Sequence, residues 1–305
     1  MFFVLLGLSA ILGIVIIGCI NFKVRRVKNQ NSTHPLNESI KNITINGSNI
    51  KYVEKGNGQP IIMIHGSQMN SYDWRSNIDF FAKKYKVYAI DMIGCGCSDK
   101  PRGAYSPDFF AEFIKVFMNH LNIDKAIFIA SSWGGEHTLH FGLKYPERAS
   151  ALILSSPCGY KHKFNPMDIL RVPLLGRLIL LFTSKVMLKS QLVGAHFNKN
   201  DVGNDLVNAI YTPFFMTGFI QATLMSYKNA NFKYVQENIS HIAIPTLLIW
   251  GQHDKIHPLD MAEKMNNEIM ESELIIYEKC GHLPHSEKPE QFNHHAEQFI
   301  TKTLC

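Results

Sequence analysis

Three residues able to do nucleophilic chemistry together stand at the ends of apolar runs in this chain. They are Ser132 in FIASSWGG (128–135), Asp254 in Gly251-Gln252-His253-Asp254, and His282 in Cys280-Gly281-His282. A serine hydroxyl is a weak nucleophile at neutral pH. It needs a base to take its proton and an acid to orient that base. Ser132 lies between a strand pattern at Ala126–Ser131 and a helical pattern over 134–145. The small neighbours Ala130 and Gly134 permit a sharp strand–turn–helix, although the usual turn carries glycine where Ala130 stands. Such a turn presents the hydroxyl to a cleft and aims the Trp133 N–H at a developing oxyanion, helped by the positive field of the helix N-terminus. The bland alternative is a serine that merely caps a helix.

Other groups compete for these roles. His253 and His257 flank the acid loop, and His285 follows His282 by three positions. His253 reads as a neighbour of the acid, His285 as a capping or packing residue, and His282 as the base. His65-Gly66-Ser67-Gln68 ends another strand pattern. Its glycine allows close backbone approach, so the Ser67 or Gln68 N–H can supply the second oxyanion donor, and Ser67 is preferred. Gln68 and Trp133 are expected to touch substrate, and His65 to support the loop. Asp91–Ser98 is glycine-rich but lacks the lysine and helix start of a nucleotide loop. Cys95 and Cys97 have no second ligand pair, and the six cysteines form no disulfide framework. Neither metal nor cofactor is expected.

The elements that must position these groups follow from periodicity. Asn42–Ile45 and Ile50–Glu54 alternate around Asn46-Gly47, as a hairpin does. Short apolar runs at Ile61–His65, Val87–Asp91, Ala126–Ser131, Ala151–Ser155, Thr246–Trp250 and Leu274–Tyr277 fit buried strands. Helical patterns cover 72–84, 107–121, 134–145, 259–270 and 289–302. The alternation predicts an α/β fold with a mainly parallel sheet flanked by helices, the core being 41–156 and 241–305. Residues 157–240 offer no strand but contain apolar helix-like runs at Leu174–Met187 and Phe214–Met225, and are expected to form a helical cap. Leu174–Met187 can also be read as membrane-contacting, but Arg177, Lys185 and the nearby prolines favour an ordinary cap helix.

Residues 1–20 carry no charge and are long enough to span a bilayer, with Lys23, Arg25, Arg26 and Lys28 directly after them. They are read as a single-span anchor or signal-like segment, with 21–40 a polar linker and the body on the cytoplasmic side. Two other readings stay open. Ile16-Ile17-Gly18-Cys19 is similar to a lipoprotein processing site that would lipidate Cys19. Asn31, Asn37, Asn42 and Asn46 begin glycosylation triplets that would suit a lumenal stalk. The net charge is +6, most of it in that basic cluster, so the body lacks the basic stripe of a nucleic-acid binder. Oligomeric state is left open.

From about 41 to 302 the chain resembles the α/β-hydrolase superfamily. The resemblance rests on HGSQMNSYDW, DMIGCGCSDKP, SSWGG with its trailing KYPERASALIL, GQHDKIHP and CGHLPHSEKPEQF. It implies the order nucleophile, acid, base that Ser132, Asp254 and His282 provide. The first piece is similar to haloalkane dehalogenases and epoxide hydrolases, which use aspartate as nucleophile. Ser132 at that position implies ester or related acyl chemistry. The S-W-G string is also similar to proline iminopeptidases, which carry more glycine and proline than Ser67-Gln68-Met69. Cofactor-free haloperoxidases have methionine where Trp133 stands. The expected function is hydrolysis of a small-molecule carboxylic ester, lipid-like or hydrophobic given the apolar cap and anchor. One alternative is an aminopeptidase using Asp168, Asp201 or Asp205 to hold an amine. Another is a non-catalytic binding protein on the same fold.

Overall fold

The computed structural model describes Leu36, residues 40–161 and residues 166–304. The expected span over 1–20 and nearly all of the linker lie outside the described residues. Among the described residues no single helix is long and apolar enough to cross a membrane.

Eight strands form one sheet in the order β1-β2-β4-β3-β5-β6-β7-β8. They are β1 Ile40–Ile45, β2 Ser48–Lys55, β3 Pro60–Ile64, β4 Lys86–Ile90, β5 Ala126–Ser131, β6 Ala149–Ser155, β7 Thr246–Gly251 and β8 Ser272–Tyr277. The β1–β2 and β2–β4 pairs are antiparallel, and the others are parallel. The hairpin turns where expected, with Ile45 opposite Ser48 and Asn46 and Gly47 both at positive φ. That is the geometry of a two-residue turn matched to strand twist.

The central strands are buried on both faces, which is why they read as continuous apolar runs. Alternate residues feed two cores. Ile62, Ile64, Phe128, Ala130, Leu152 and Leu154 face one side of the sheet. There they meet helices α1 (Pro107–His120) and α2 (Trp133–Lys144). Ile61, Met63, Ile127, Ile129, Ala151 and Ile153 face the other side, with Trp74, Phe81 and Phe292. Each fully buried side chain of this size contributes about 1.5–3 kcal/mol.

Between β6 and β7 the described chain is helical. It contains α3 (Pro173–Phe182), α4 (Lys185–Ala195), α5 (Asn204–Tyr211), α6 (Phe219–Asn229) and α7 (Lys233–Asn238). A third core of Leu188, Leu192, Leu206, Ile210, Phe214 and Phe219 holds much of it together. After β7 come α8 (Leu259–Glu268) and, following β8, α9 (Pro289–Leu304). The architecture is the α/β class expected from the pattern of elements.

Three expected helices are broken. The pattern over 72–84 is a 3-10 turn at Ser71–Trp74 and a short helix at Ile78–Phe81. Asn70 caps the first piece, and buried Asn77 spends its amide on His285 O (3.2 Å) and Asn293 Oδ1 (2.8 Å). Leu174–Met187 is not continuous either: α3 and α4 meet at 102°. Ser184 Oγ accepts the Met187 N–H (3.2 Å) and starts a new helix. Phe214–Met225 is interrupted at Gly218, whose φ of 88° no continuing helix accepts.

Candidate active site

The carboxyl ends of β3, β5, β7 and β8 converge, and the helical insertion covers them. Ser132 is the hinge between β5 and α2, with φ 52° and ψ −119°. A non-glycine residue there is strained, by about 1–3 kcal/mol. The turn is held from below. The Ser132 N–H donates to Ser155 O (3.0 Å), and the Cys158 N–H donates to Ser132 O (2.8 Å). A side chain at Gly134 would strike the carbonyl oxygens of Ile64 and His65, so only glycine fits there. Ala130 is fully buried in the ladder between Ile64 and Leu154, and its methyl is accommodated. Ser132 stands at the helix-capping position but makes no capping bond. Its Oγ lies 2.9 Å from His282 Nε2 instead.

His282 Nδ1 lies 2.8 Å from Asp254 Oδ2. A carboxylate only accepts, so Nδ1 carries the proton and Nε2 is left to accept from Ser132. The other oxygen, Asp254 Oδ1, accepts the N–H groups of Ile256 and His257, each at 2.8 Å. Burial alone would raise the Asp254 carboxyl. The His282 ring, by charge and hydrogen bond, and His257 outweigh this and hold it below the usual carboxylate range. The serine and the aspartate that the sequence singled out therefore each contact the histidine, one on either ring nitrogen. The arrangement can move a proton from the hydroxyl to the ring and stabilise the resulting charge.

The loop bearing His282 is clamped. Its N–H donates to Ala195 O at the end of α4 (2.7 Å). Glu287 accepts from the N–H groups of Gly281 (3.0 Å) and Leu283 (3.2 Å), and from Phe197 of the insertion (2.7 Å). The competing histidines fall elsewhere. His253 is exposed and packs on Phe197, with ring centroids 4.8 Å apart. His285 is buried between Ser155 Oγ (3.0 Å) and Asp73 Oδ1 (3.2 Å). His257 stands edge-on to His282 at 4.7 Å, with Nδ1 bonded to Ser156 O (2.9 Å).

Gly66 brings the loop after β3 against Ser132: a Cβ there would sit 3.3 Å from Ser132 Cβ. His65 braces this loop. Its Nδ1 donates to Gly66 O (2.7 Å) and its Nε2 accepts the Met92 N–H (3.1 Å), which fixes a neutral ring. Burial lowers its proton affinity in the same direction. Ser67, Gln68 and Trp133 all line the cleft beside Ser132 and His282. The Trp133 N–H opens α2, where no earlier turn supplies an acceptor.

The 91–98 loop is spoken for by internal bonds. Asp91 accepts from Ser71 and from the Cys97 N–H, and Lys100 Nζ donates to Gly96 O and Ser98 O. Burial pushes the Cys95 thiol up to about 11 and Cys97 up to about 12. Burial thus favours the thiol form at both positions at neutral pH.

The cleft has a volume of about 240 Å³ and mostly apolar walls, including Met69, Leu188, Leu192, Ile210 and Phe232. Among the described residues, its charged lining besides histidine is Asp168 and Arg171, which pair at 2.8 Å. Of the three acids considered for binding an amine, only Asp168 reaches the cleft. Asp205 lines a separate cavity, and Asp201 bonds Asn198.

Sequence reasoning missed Tyr227, from α6 of the insertion. Its hydroxyl lies 3.1 Å from Ser67 Oγ and 3.5 Å from Gln68 Nε2, and its ring meets Trp133 edge-on at 4.9 Å. Nothing in the local sequence marks it, because its hydrogen-bonding partners are about 160 residues away. Glu287 was also missed, although CGHLPHSEKPEQF contains it. The buried His257, bonded into the acid loop, was noted only as a neighbour.

A mainly parallel sheet with this site at its carboxyl edge defines an α/β hydrolase. A family model described as alpha/beta hydrolase fold matches residues 59–289, and the chain belongs to that family. It is 30% identical over 262 residues to a 2-hydroxy-6-oxo-6-phenylhexa-2,4-dienoate hydrolase of Burkholderia cepacia, covering 81% of this chain and 89% of the relative. It is 25% identical over 266 residues to an uncharacterised hydrolase of Bacillus subtilis, covering 86% and 97%. A solved meta-cleavage product hydrolase from Pseudomonas fluorescens IP01 matches with a TM-score of 0.75 at 26% identity, over 86% of this chain and 97% of that one.

Proposed function

We propose that this hydrolase cleaves carboxylic esters of hydrophobic, lipid-like character through an acyl-Ser132 intermediate. The observation that carries the reading is the Ser132–His282–Asp254 chain of contacts, at 2.9 and 2.8 Å, inside an apolar-walled cleft. Ser132 Oγ attacks the ester carbonyl as its proton passes to His282 Nε2. The Ser67 and Trp133 N–H groups receive the oxyanion. The tetrahedral adduct expels the alkoxide, which leaves as the alcohol with the proton from His282. Water then gives a proton to His282 and attacks the acyl carbonyl; the second adduct breaks its bond to Ser132 Oγ, which takes that proton back from His282 as the acid leaves. Asp254 stabilises the imidazolium in both halves.

A second reading comes from the dienoate-cleaving relative, whose substrate is an acid. A substrate carboxylate needs a free cation, and the cleft's Arg171 is already paired with Asp168. The mostly apolar walls of the cleft favour the neutral ester. We further propose that residues 1–20 anchor the chain in a membrane, on the strength of their length and the basic cluster that follows.

The test compares turnover of p-nitrophenyl esters of increasing acyl length, a proline amide and the phenyl dienoate, alongside fluorophosphonate labelling. Ester turnover should dominate. Ser132→Ala should abolish labelling and lower kcat by roughly 10⁶-fold. Labelling that survives Ser132→Ala would sink the assignment, and an enzyme that turns over only the dienoate would establish the second reading.

A further inference from the structure

The helical insertion carries two features that ester chemistry does not use. Large apolar side chains stand in solvent along its outer side: Val172 is 51% exposed, Leu174 72%, Phe182 39%, Val186 78% and Met187 45%. Such a run is more than scattered surface hydrophobicity. Residues 173–195 interleave it with Arg177, Lys185 and Lys189 and contain no acid. Lys185 and Lys189 donate to the amide oxygens of Asn208 (2.6 Å) and Asn204 (3.3 Å), which leave their charge uncompensated.

The second feature is a cavity of about 470 Å³ between α3 and α6. Its apolar wall includes Leu170, Phe219 and Leu224, and its cations are Arg171, Arg177 and Lys228. Arg171 is paired with Asp168. Among the described residues, Arg177 and Lys228 form no salt bridge. An apolar groove with two uncompensated cations fits an anionic amphiphile, its charge on the cations and its chain along the wall.

We propose that α3 and α4 rest on an anionic membrane surface, with Arg177 and Lys228 holding a lipid headgroup in the α3–α6 groove. A bilayer supplies together what both features demand, an apolar phase for the exposed side chains and anions at its boundary. The uncharged residues 1–20 and the basic cluster after them point to the same partner. The inner side of α4, through Leu188 and Leu192, lines the cleft. Docking of its outer side therefore sets the cleft beside the lipid. The inference stands on surface chemistry and does not require the ester reading.

The test uses the full chain with vesicles whose acyl chains are brominated, so that tryptophan in the apolar phase is quenched. Because residues 1–20 can hold the chain to vesicles unaided, the readout is contact by the insertion and not binding itself. Leu174→Trp and Val186→Trp are compared with Met270→Trp, an 89% exposed position outside the insertion. The unsubstituted chain gives the background of the native tryptophans. Thermal melts confirm folding, so failure of the ester reading leaves the result intact. On phosphatidylglycerol vesicles, quenching at 174 and 186 should exceed that at 270 several-fold. It should fall sharply on phosphatidylcholine, and in the Arg177→Glu, Lys228→Glu background. Equal quenching at all three positions overturns the proposal. So does quenching indifferent to lipid charge and to the double reversal. A blue shift at 174 without quenching also overturns it, and assigns the face to a second copy of the chain.

Discussion

Ser132 faces two uses of its hydroxyl, capping α2 or bonding His282, and the backbone decides between them. At φ 52° the side chain leaves the helix N–H groups and reaches the imidazole. The pair works only while His282 keeps its proton on Nδ1, which Asp254 enforces. Asp254→Asn should therefore lower kcat by about 10⁴-fold with the fold intact, measured on a short p-nitrophenyl ester and by circular dichroism. An unchanged kcat would remove Asp254 from the mechanism. Because its carboxyl is held below the usual carboxylate range, Asp254 stays ionised above about pH 4, so activity lost at higher pH has another origin.

At the scale of elements, the insertion completes the site as well as covering it. Helix α4 accepts the His282 N–H through Ala195 O, and α6 brings Tyr227 to Ser67 and Trp133. Those two residues carry the proposed oxyanion donors. Tyr227→Phe keeps the ring and loses the hydroxyl that fixes Ser67. It should lower kcat/KM by between about 2- and 10-fold. Wild-type kinetics in that variant would show that α6 acts only as a lid. The broken helices belong to this scale too. A periodic apolar pattern ran through Leu174–Met187, but a capping serine at 184 and the packing of α4 over the cleft bent it by 102°.

Across the whole molecule, one buried pair ties distant parts of the chain together. Asp73 follows β3, His285 precedes α9, and Ser155 ends β6 beneath the nucleophile turn. Burial works to raise the Asp73 carboxyl, but the neighbouring His285, with Arg75 and His65, holds it below its ordinary value. A carboxyl lowered on folding contributes stability that is fully present above its unfolded pKa of about 3.9, and lost as pH falls through the folded value. Asp73→Asn should cost about 1–3 kcal/mol at neutral pH, since it removes the charge facing the His285 ring while Ser155 Oγ still holds the other nitrogen, and should flatten the acid limb of stability below about pH 4. Urea melts from pH 3 to 7 check both; an acid limb as steep as in the unsubstituted chain would refute the second. Deleting residues 1–30 should leave turnover of water-soluble esters unchanged, because among the described residues the cleft's lining runs from Gly66 to Leu283. It should also release the chain from a carbonate-washed membrane fraction, and retention there would refute the anchor.

The sequence by itself determined the order of elements and the placing of Ser132, Asp254 and His282 after their strands. Buried parallel strands must be apolar throughout, and a strand-to-helix turn through a small-residue cluster leaves a local mark. Local marks also gave the hairpin at Asn46-Gly47 and the supporting role of His65. Only the tertiary structure decided that Tyr227, Glu287 and His257 belong to the site, that His285 is paired with Asp73, and that Asp168 and Arg171 stand together at the cleft. Each of these depends on residues brought together by the insertion or the sheet order. No periodicity along the chain records such a contact, because its energy comes from groups that meet only when the sheet is assembled. The same reason separates the Ser132 pair from a capping serine: the residue is written in the sequence, while the 2.9 Å to His282 exists only in the fold.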